Sequence, residues 1–129
     1  MAQARYADFN ARLLAHSIDL IVMLPFFYLF SWWVDNNLLM VATCWGFYTL
    51  YHILFELSHW HGTPGKKVQR IAVISSDERS IPSLTQIIYR NMAKIISILL
   101  LFVGVLMIAI DKKRRGLHDR IAGTIVIFC

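Results

Sequence analysis

The chain has 129 residues, 57% of them hydrophobic, with a formal net charge of +5 and a mean hydropathy of +0.54. The apolar residues are concentrated in three blocks, Leu13–Val34, Leu38–Leu57 and Ile95–Ile110. The first two match the roughly 20 residues that a helix needs to cross a bilayer, and a chain this small has too little polar surface to cover both in water. The composition therefore excludes an ordinary soluble domain and predicts an integral membrane protein. The positive charge fits anionic headgroups and the cytoplasmic side of a membrane, so no nucleic-acid partner is expected.

The amino end is basic, with Arg5 and Arg12, but the first apolar run is longer than a signal-peptide core and no small-residue cleavage site follows it. It is expected to stay as a span over about 13–34. Trp32 and Trp33 suit the far interface, and Pro25 removes one backbone donor and predicts a kink near Ile21. Asp35-Asn36-Asn37 forms a tight turn, and the second span, about 38–57, returns towards Trp60. Gly62-Thr63-Pro64-Gly65 then breaks the helix. It is not a phosphate loop, because the GxxxxGK[ST] spacing is absent and a helix precedes it.

Val68–Ser75 is β-rich and Ser76-Asp77-Glu78 is a turn. Ser83 and Gln86 make a capping box at the start of a helix. Gln86, Arg90, Lys94 and Ser97 form a polar stripe on it, which predicts an amphipathic helix lying in the interface. The block Ile95–Ile110 is short for a full crossing. If it crossed, Lys112–Arg115 and Arg120 would lie opposite Lys66, Lys67, Arg70 and Arg79. If it dips in and returns near Gly104, all 13 Lys and Arg share one side. The expected fold is an all-α membrane protein in one domain, 1–129. It has two transmembrane helices and a third re-entrant or spanning segment, about 84–110. A cytoplasmic tail, 111–129, carries Thr124–Phe128, which pairs with Val68–Ser75 in a small cytoplasmic β-element.

Arg12, His16 and Asp19 share one helical stripe. An ionised Asp alone inside a span is costly, so Asp19 is expected to be neutral, paired or beside water. Arg12 lies about 10 Å from it along the axis, and each is expected to meet another segment. The outcome is either a structural network or a proton or cation path. His52, Glu56, His59 and His61 resemble a zinc set on paper, yet the helix ends among them and no metal is expected. Glu56 is instead a partner for Arg12, Arg90 or Lys94. Asp119 is expected to reach back to Arg12 or Arg90, and His118 to titrate near neutrality. Lys112, Lys113, Arg114 and Arg115 suit lipid headgroups. Cys44 and Cys129 are expected to be free thiols. No catalytic triad, carboxylate pair or dinucleotide fingerprint appears, so neither an enzyme nor a cofactor is expected.

Together these residues resemble the RDD family of bacterial membrane proteins, named for one Arg and two Asp. The resemblance is carried by Arg12-Leu13-Leu14-Ala15 with Asp19, Thr63-Pro64-Gly65-Lys66-Lys67 and Arg70-Ile71-Ala72-Val73. Arg90 and the closing Arg115-Gly116-Leu117-His118-Asp119-Arg120-Ile121-Ala122-Gly123-Thr124 complete it. Gln69-Arg70 depart from it where a Gly often precedes the strand. The resemblance implies that Arg12, Asp19 and Asp119 are the signature positions; His16, Glu56, Arg90 and His118 are expected in support. It implies a bacterial membrane protein, and the positive-inside bias then places the basic loops and both termini of a multi-pass chain on the cytoplasmic side of the inner membrane. Two roles follow as expectations: an accessory or scaffold subunit of a larger membrane assembly, or a homo-oligomeric cation/proton transporter.

Overall fold

The computed structural model describes residues 5–100 and 103–128. In chain order the elements are α1 (Phe9–Trp33), α2 (Asn37–Leu57), α3 (Pro64–Val68), β1 (Ile71–Ser75), α4 (Leu84–Leu99), α5 (Val103–Ile110), α6 (Leu117–Ala122) and β2 (Thr124–Phe128). The protein is mostly helical, and α1 and α2 are long and apolar enough to cross a membrane. Most of their surface is uncovered, Trp33 and Leu38 being 85% and 80% exposed, as helices facing lipid require.

Local chemistry sets the helix ends. Asp8 caps α1 by accepting from the Ala11 amide at 2.9 Å. The helix therefore starts before Arg12 and carries it in its first turns, whereas the sequence places Arg12 ahead of the span. α1 runs through Pro25 without interruption. Asn36 caps α2 by accepting from Leu38 and Leu39. Thr63 caps α3, with Pro64 at the first helical position, where a missing N–H costs nothing. That short helix is a correction: Val68 ends α3, so the strand begins at Ile71 and not at 68. Arg70 makes the break with φ 54°, a left-handed turn.

β1 and β2 pair antiparallel, Ile71 opposite Phe128, Val73 opposite Val126 and Ser75 opposite Thr124. The residues before α1 add to the other edge of β2 through the Ala7 amide on the Val126 carbonyl and the Phe128 amide on the Arg5 carbonyl. This ribbon packs Ile71, Val73 and Val126 with Ala7 against Ala11 and Ala15 of α1. Burying each such branched side chain is worth about 1.5–3 kcal/mol. The small alanines allow the close approach.

α4 also corrects the sequence reading. Ser83 and Gln86 do form the reciprocal capping box, but the polar stripe faces inward. Arg90 and Asn91 are buried, and Gln86 reaches Ser75 and the Gly123 carbonyl, while Leu84, Ile88, Tyr89, Met92 and Ile96 are exposed. Ser97 belongs to that stripe by spacing, but its side chain lies outside the described part. Gly104, expected at a re-entrant turn, lies inside α5; the link before it includes residues 101 and 102, outside the described residues. α4 and α5 both pack on α6.

α3 seats on α1 where Gly65 meets Ala15. A Cβ at position 65 would overlap the Ala15 carbonyl and stand 2.8 Å from Asp19 Oδ1. Replacing Gly65 with Ala is expected to destabilise the protein by about 1–3 kcal/mol, the usual range for overpacking, whereas Gly46→Ala, with open space around it, should be near neutral. Thermal unfolding of the two variants in detergent micelles checks this.

Candidate functional site

The polar residues of the apolar elements gather into two linked centres. At the first, Asp19 is fully buried and accepts three hydrogen bonds. The Thr63 hydroxyl donates to Oδ2 at 2.5 Å, the Gly65 amide to Oδ1 at 2.8 Å and the Tyr51 hydroxyl to Oδ1 at 3.1 Å. One carboxylate thus ties α1 to α2 and to the first turn of α3. Two of its three donors come from the loop Thr63–Gly65, which had been read only as a helix breaker. The signal was present: Thr followed by Pro is a helix-start pattern.

The second centre is an alternating chain of charges. Asp119, fully buried, takes Arg12 Nη1 on Oδ2 and Arg90 Nε on Oδ1 at 2.8 Å. From sequence it is expected to reach one of these arginines; it reaches both. Arg90 continues through Nη1 to Glu56 Oε1 at 2.5 Å, and Lys66 Nζ donates to the same oxygen. Lys66 was missed as a partner of Glu56, because its motif was assigned to a turn rather than to a helix pointing back at α2. Arg12 also donates to the Arg114 carbonyl at 2.7 Å. Arg12 and Asp19 do not meet directly; each is engaged by another segment.

Burial alone would raise the Asp119 carboxyl, but His118, Arg90 and Arg12 outweigh it and hold it well below the usual carboxylate range. Burial pushes His118 down to about 4. At neutral pH it is therefore uncharged, which corrects the expectation that it titrates near neutrality, and the two guanidiniums do the work on Asp119. Burial also pulls the Lys66 amine below its ordinary value, Arg90 adding to the effect and Glu56 opposing it.

The other expected residues divide. His16 is bonded to the Tyr48 hydroxyl at 2.7 Å and lines a cleft between α1 and α2. Lys113 bonds Glu78 at 2.8 Å and Arg115 pairs with Asp111 at 3.1 Å, because Asp111 also accepts the Lys113 and Arg115 amides and folds the turn over itself. Lys112 and Arg114 remain exposed, Arg114 beside Asp8 at 3.8 Å, so only part of the basic run is free for headgroups. Among the described residues no three of His, Cys, Asp and Glu converge as metal ligands.

Two measurements follow. Asp119→Asn keeps the shape but leaves Arg12 and Arg90 without their shared anion. Breaking a buried pair in this way costs about 3–5 kcal/mol, against no measurable change for Asp35→Asn at an exposed position; denaturant unfolding in micelles reads both. For His118 the folded value lies below the unfolded value of about 6.5, so the unfolded chain takes up the proton first. Its stabilising contribution is complete above about 6.5 and fades as pH falls towards 4. The unfolding midpoint of the native protein should drop over that window more steeply than that of His118→Gln.

The model of the RDD family matches residues 6–123 of this chain. An uncharacterized protein of Bacillus subtilis (strain 168), YxaI, is 37% identical over 79 residues, which cover 61% of this chain and 51% of that protein. The chain thus spans about half the length of that relative. No solved structure matches it. The matched stretch holds Arg12, Asp19 and Asp119, and with it nearly the whole fold: the chain belongs to the RDD family.

Proposed function

We propose that the protein is an accessory or scaffold subunit of a larger membrane assembly. One observation carries this reading: Asp19, Glu56 and Asp119 are all fully buried and each is engaged by partners within the chain, Glu56 through Oε1. Carboxylates committed in this way fix a shape and offer no stepping stones for an ion. The cleft between α1 and α2 is lined by Lys94 and, among the described residues, by no carboxylate, so it offers no counter-charge to the ions that the transport alternative would move. The uncovered apolar faces of α1 and α2 are available to a partner's helices.

The pairs Arg12–Asp119 and Arg90–Asp119 bring the start of α1, the middle of α4 and α6 to one end of the molecule, where Lys66 joins them. By the positive-inside bias that end faces the cytoplasm of the inner membrane, the chain being multi-pass. α4 and α5 both meet α6, which favours a third segment that enters and returns.

The test is native mass after gentle extraction from the membrane, on the unaltered chain and on Asp19→Asn. The expected result is a stoichiometric hetero-complex that persists in Asp19→Asn with a modestly lowered unfolding temperature. A homo-oligomer whose ion flux in vesicles is abolished by Asp19→Asn, with assembly intact, would overturn the scaffold role.

A further inference from the structure

The cleft between α1 and α2 belongs to neither polar centre. It has a volume of about 360 Å³, within the range of small-ligand sites. His16, Asn91 and Lys94 stand at one end, and Phe27, Met40, Val41 and Cys44 at the other. From His16 to Phe27 it runs along eleven residues of α1, about 16 Å at 1.5 Å per residue. Val41 and Trp45 at its rim are 65% and 40% exposed, so the cleft opens sideways, towards the bilayer rather than along the helix axis.

Its polar end is unbalanced. Arg12 and Arg90 meet Asp119, and Lys66 and Arg90 meet Glu56, but Lys94 makes no ion pair among the described residues. Its Nζ donates to Asn91 Oδ1 at 2.9 Å. An ammonium has three donors, and Asn91 uses one. Taking an ammonium out of water without a counter-ion costs free energy, so an anion beside Lys94 would hold it in its charged form. That anion must be small-headed to fit between His16, Asn91 and Lys94, and an apolar chain on it would fill the rest of the cleft.

We propose that this cleft binds a single-chain membrane lipid with a carboxylate head, a long-chain fatty acid. The carboxylate pairs with Lys94 beside His16 and Asn91, and the chain lies along Phe27, Met40 and Val41. The acid comes from the bilayer through the open side, past Trp45. The site stands apart from the subunit role proposed above and survives its failure.

Trp45 reports on occupancy. The full chain in phosphatidylcholine vesicles is titrated with 9,10-dibromostearate, whose bromines quench indole fluorescence at contact. Its methyl ester, the same chain without the charge, is the control. The expected result is saturable quenching by the acid that disappears in Trp45→Phe, and an apparent affinity at least about tenfold weaker for the ester and for Lys94→Gln. That is the loss of about 1.4 kcal/mol. Equal, unsaturable quenching by acid and ester in both proteins would mean that bilayer chains fill the cleft without recognition, and would overturn the proposal. If Lys94→Gln does not fold, Cys44→Phe leaves Lys94 intact and blocks the chain's path. Saturable quenching should then be lost, and its persistence would equally overturn the site.

Discussion

Two guanidiniums that are remote in sequence, Arg12 and Arg90, meet on one carboxylate that water does not reach. Asp119 has no exposed surface, and an uncompensated charge there would cost several kcal/mol. It is ionised only because α1 and α4 each bring a cation to it. The pairing thus makes the position of α6 conditional on both helices. From α6 the consequence runs onward. Gly123, in the left-handed conformation at φ 65°, turns the chain into β2, and β2 pairs with β1. α3, just before β1, is anchored on Asp19. A break at Asp119 therefore loosens the ribbon as well as the helix carrying it.

The arrangement inverts the layout of a soluble protein. Charges lie inside, at Asp19, Glu56, Lys66, Arg90 and Asp119, while Leu, Ile and Trp side chains cover the outside of α1, α2 and α4. Within hydrocarbon no solvent can satisfy a polar group, so each must find its partner in the protein. Helix association gains little from apolar burial when the surroundings are equally apolar. The small apolar core sits instead at the ribbon, where Ala7, Ala11 and Ala15 meet Ile71, Val73 and Val126. The molecule accordingly has an apolar core at its charged end and a polar core between its apolar helices.

Much of this is legible in the sequence, to a depth set by the range of each signal. Span length is a local property, and α1 and α2 follow it. The Ser83–Gln86 capping box is equally local and forms. The stripe Gln86, Arg90, Lys94 was correct as a stripe and wrong in direction, because periodicity shows that two faces differ without saying which faces the lipid. Asp119 was narrowed to two arginines, since a buried carboxylate needs a cation and few were in reach. Lys66 escaped because Gly62-Thr63-Pro64-Gly65 reads as a break when its glycines are weighed, and as a helix start when Thr63-Pro64 is. Tyr48 and Tyr51, which hold His16 and Asp19, are marked by no motif in the sequence. No spacing within α2 reveals which residue of α1 its hydroxyls will meet.

Asp19 and Asp119 solve one problem at two junctions. Each sits where a chain segment must be held against the end of a helix bundle, and each accepts from a backbone amide as well as from side chains: Gly65 for Asp19 and Gly116 for Asp119. The glycine allows the backbone to come close at position 65, where a Cβ would strike α1. The carboxylate then satisfies an amide that the membrane interior could not. A neutral amide side chain offers only one acceptor oxygen in place of two, so Asn at either position must leave a donor unmet. Shape alone therefore does not explain why aspartate occupies both places. The need is for two acceptor oxygens where helix ends and loop amides converge out of reach of water and, at Asp119, for a negative charge between two arginines.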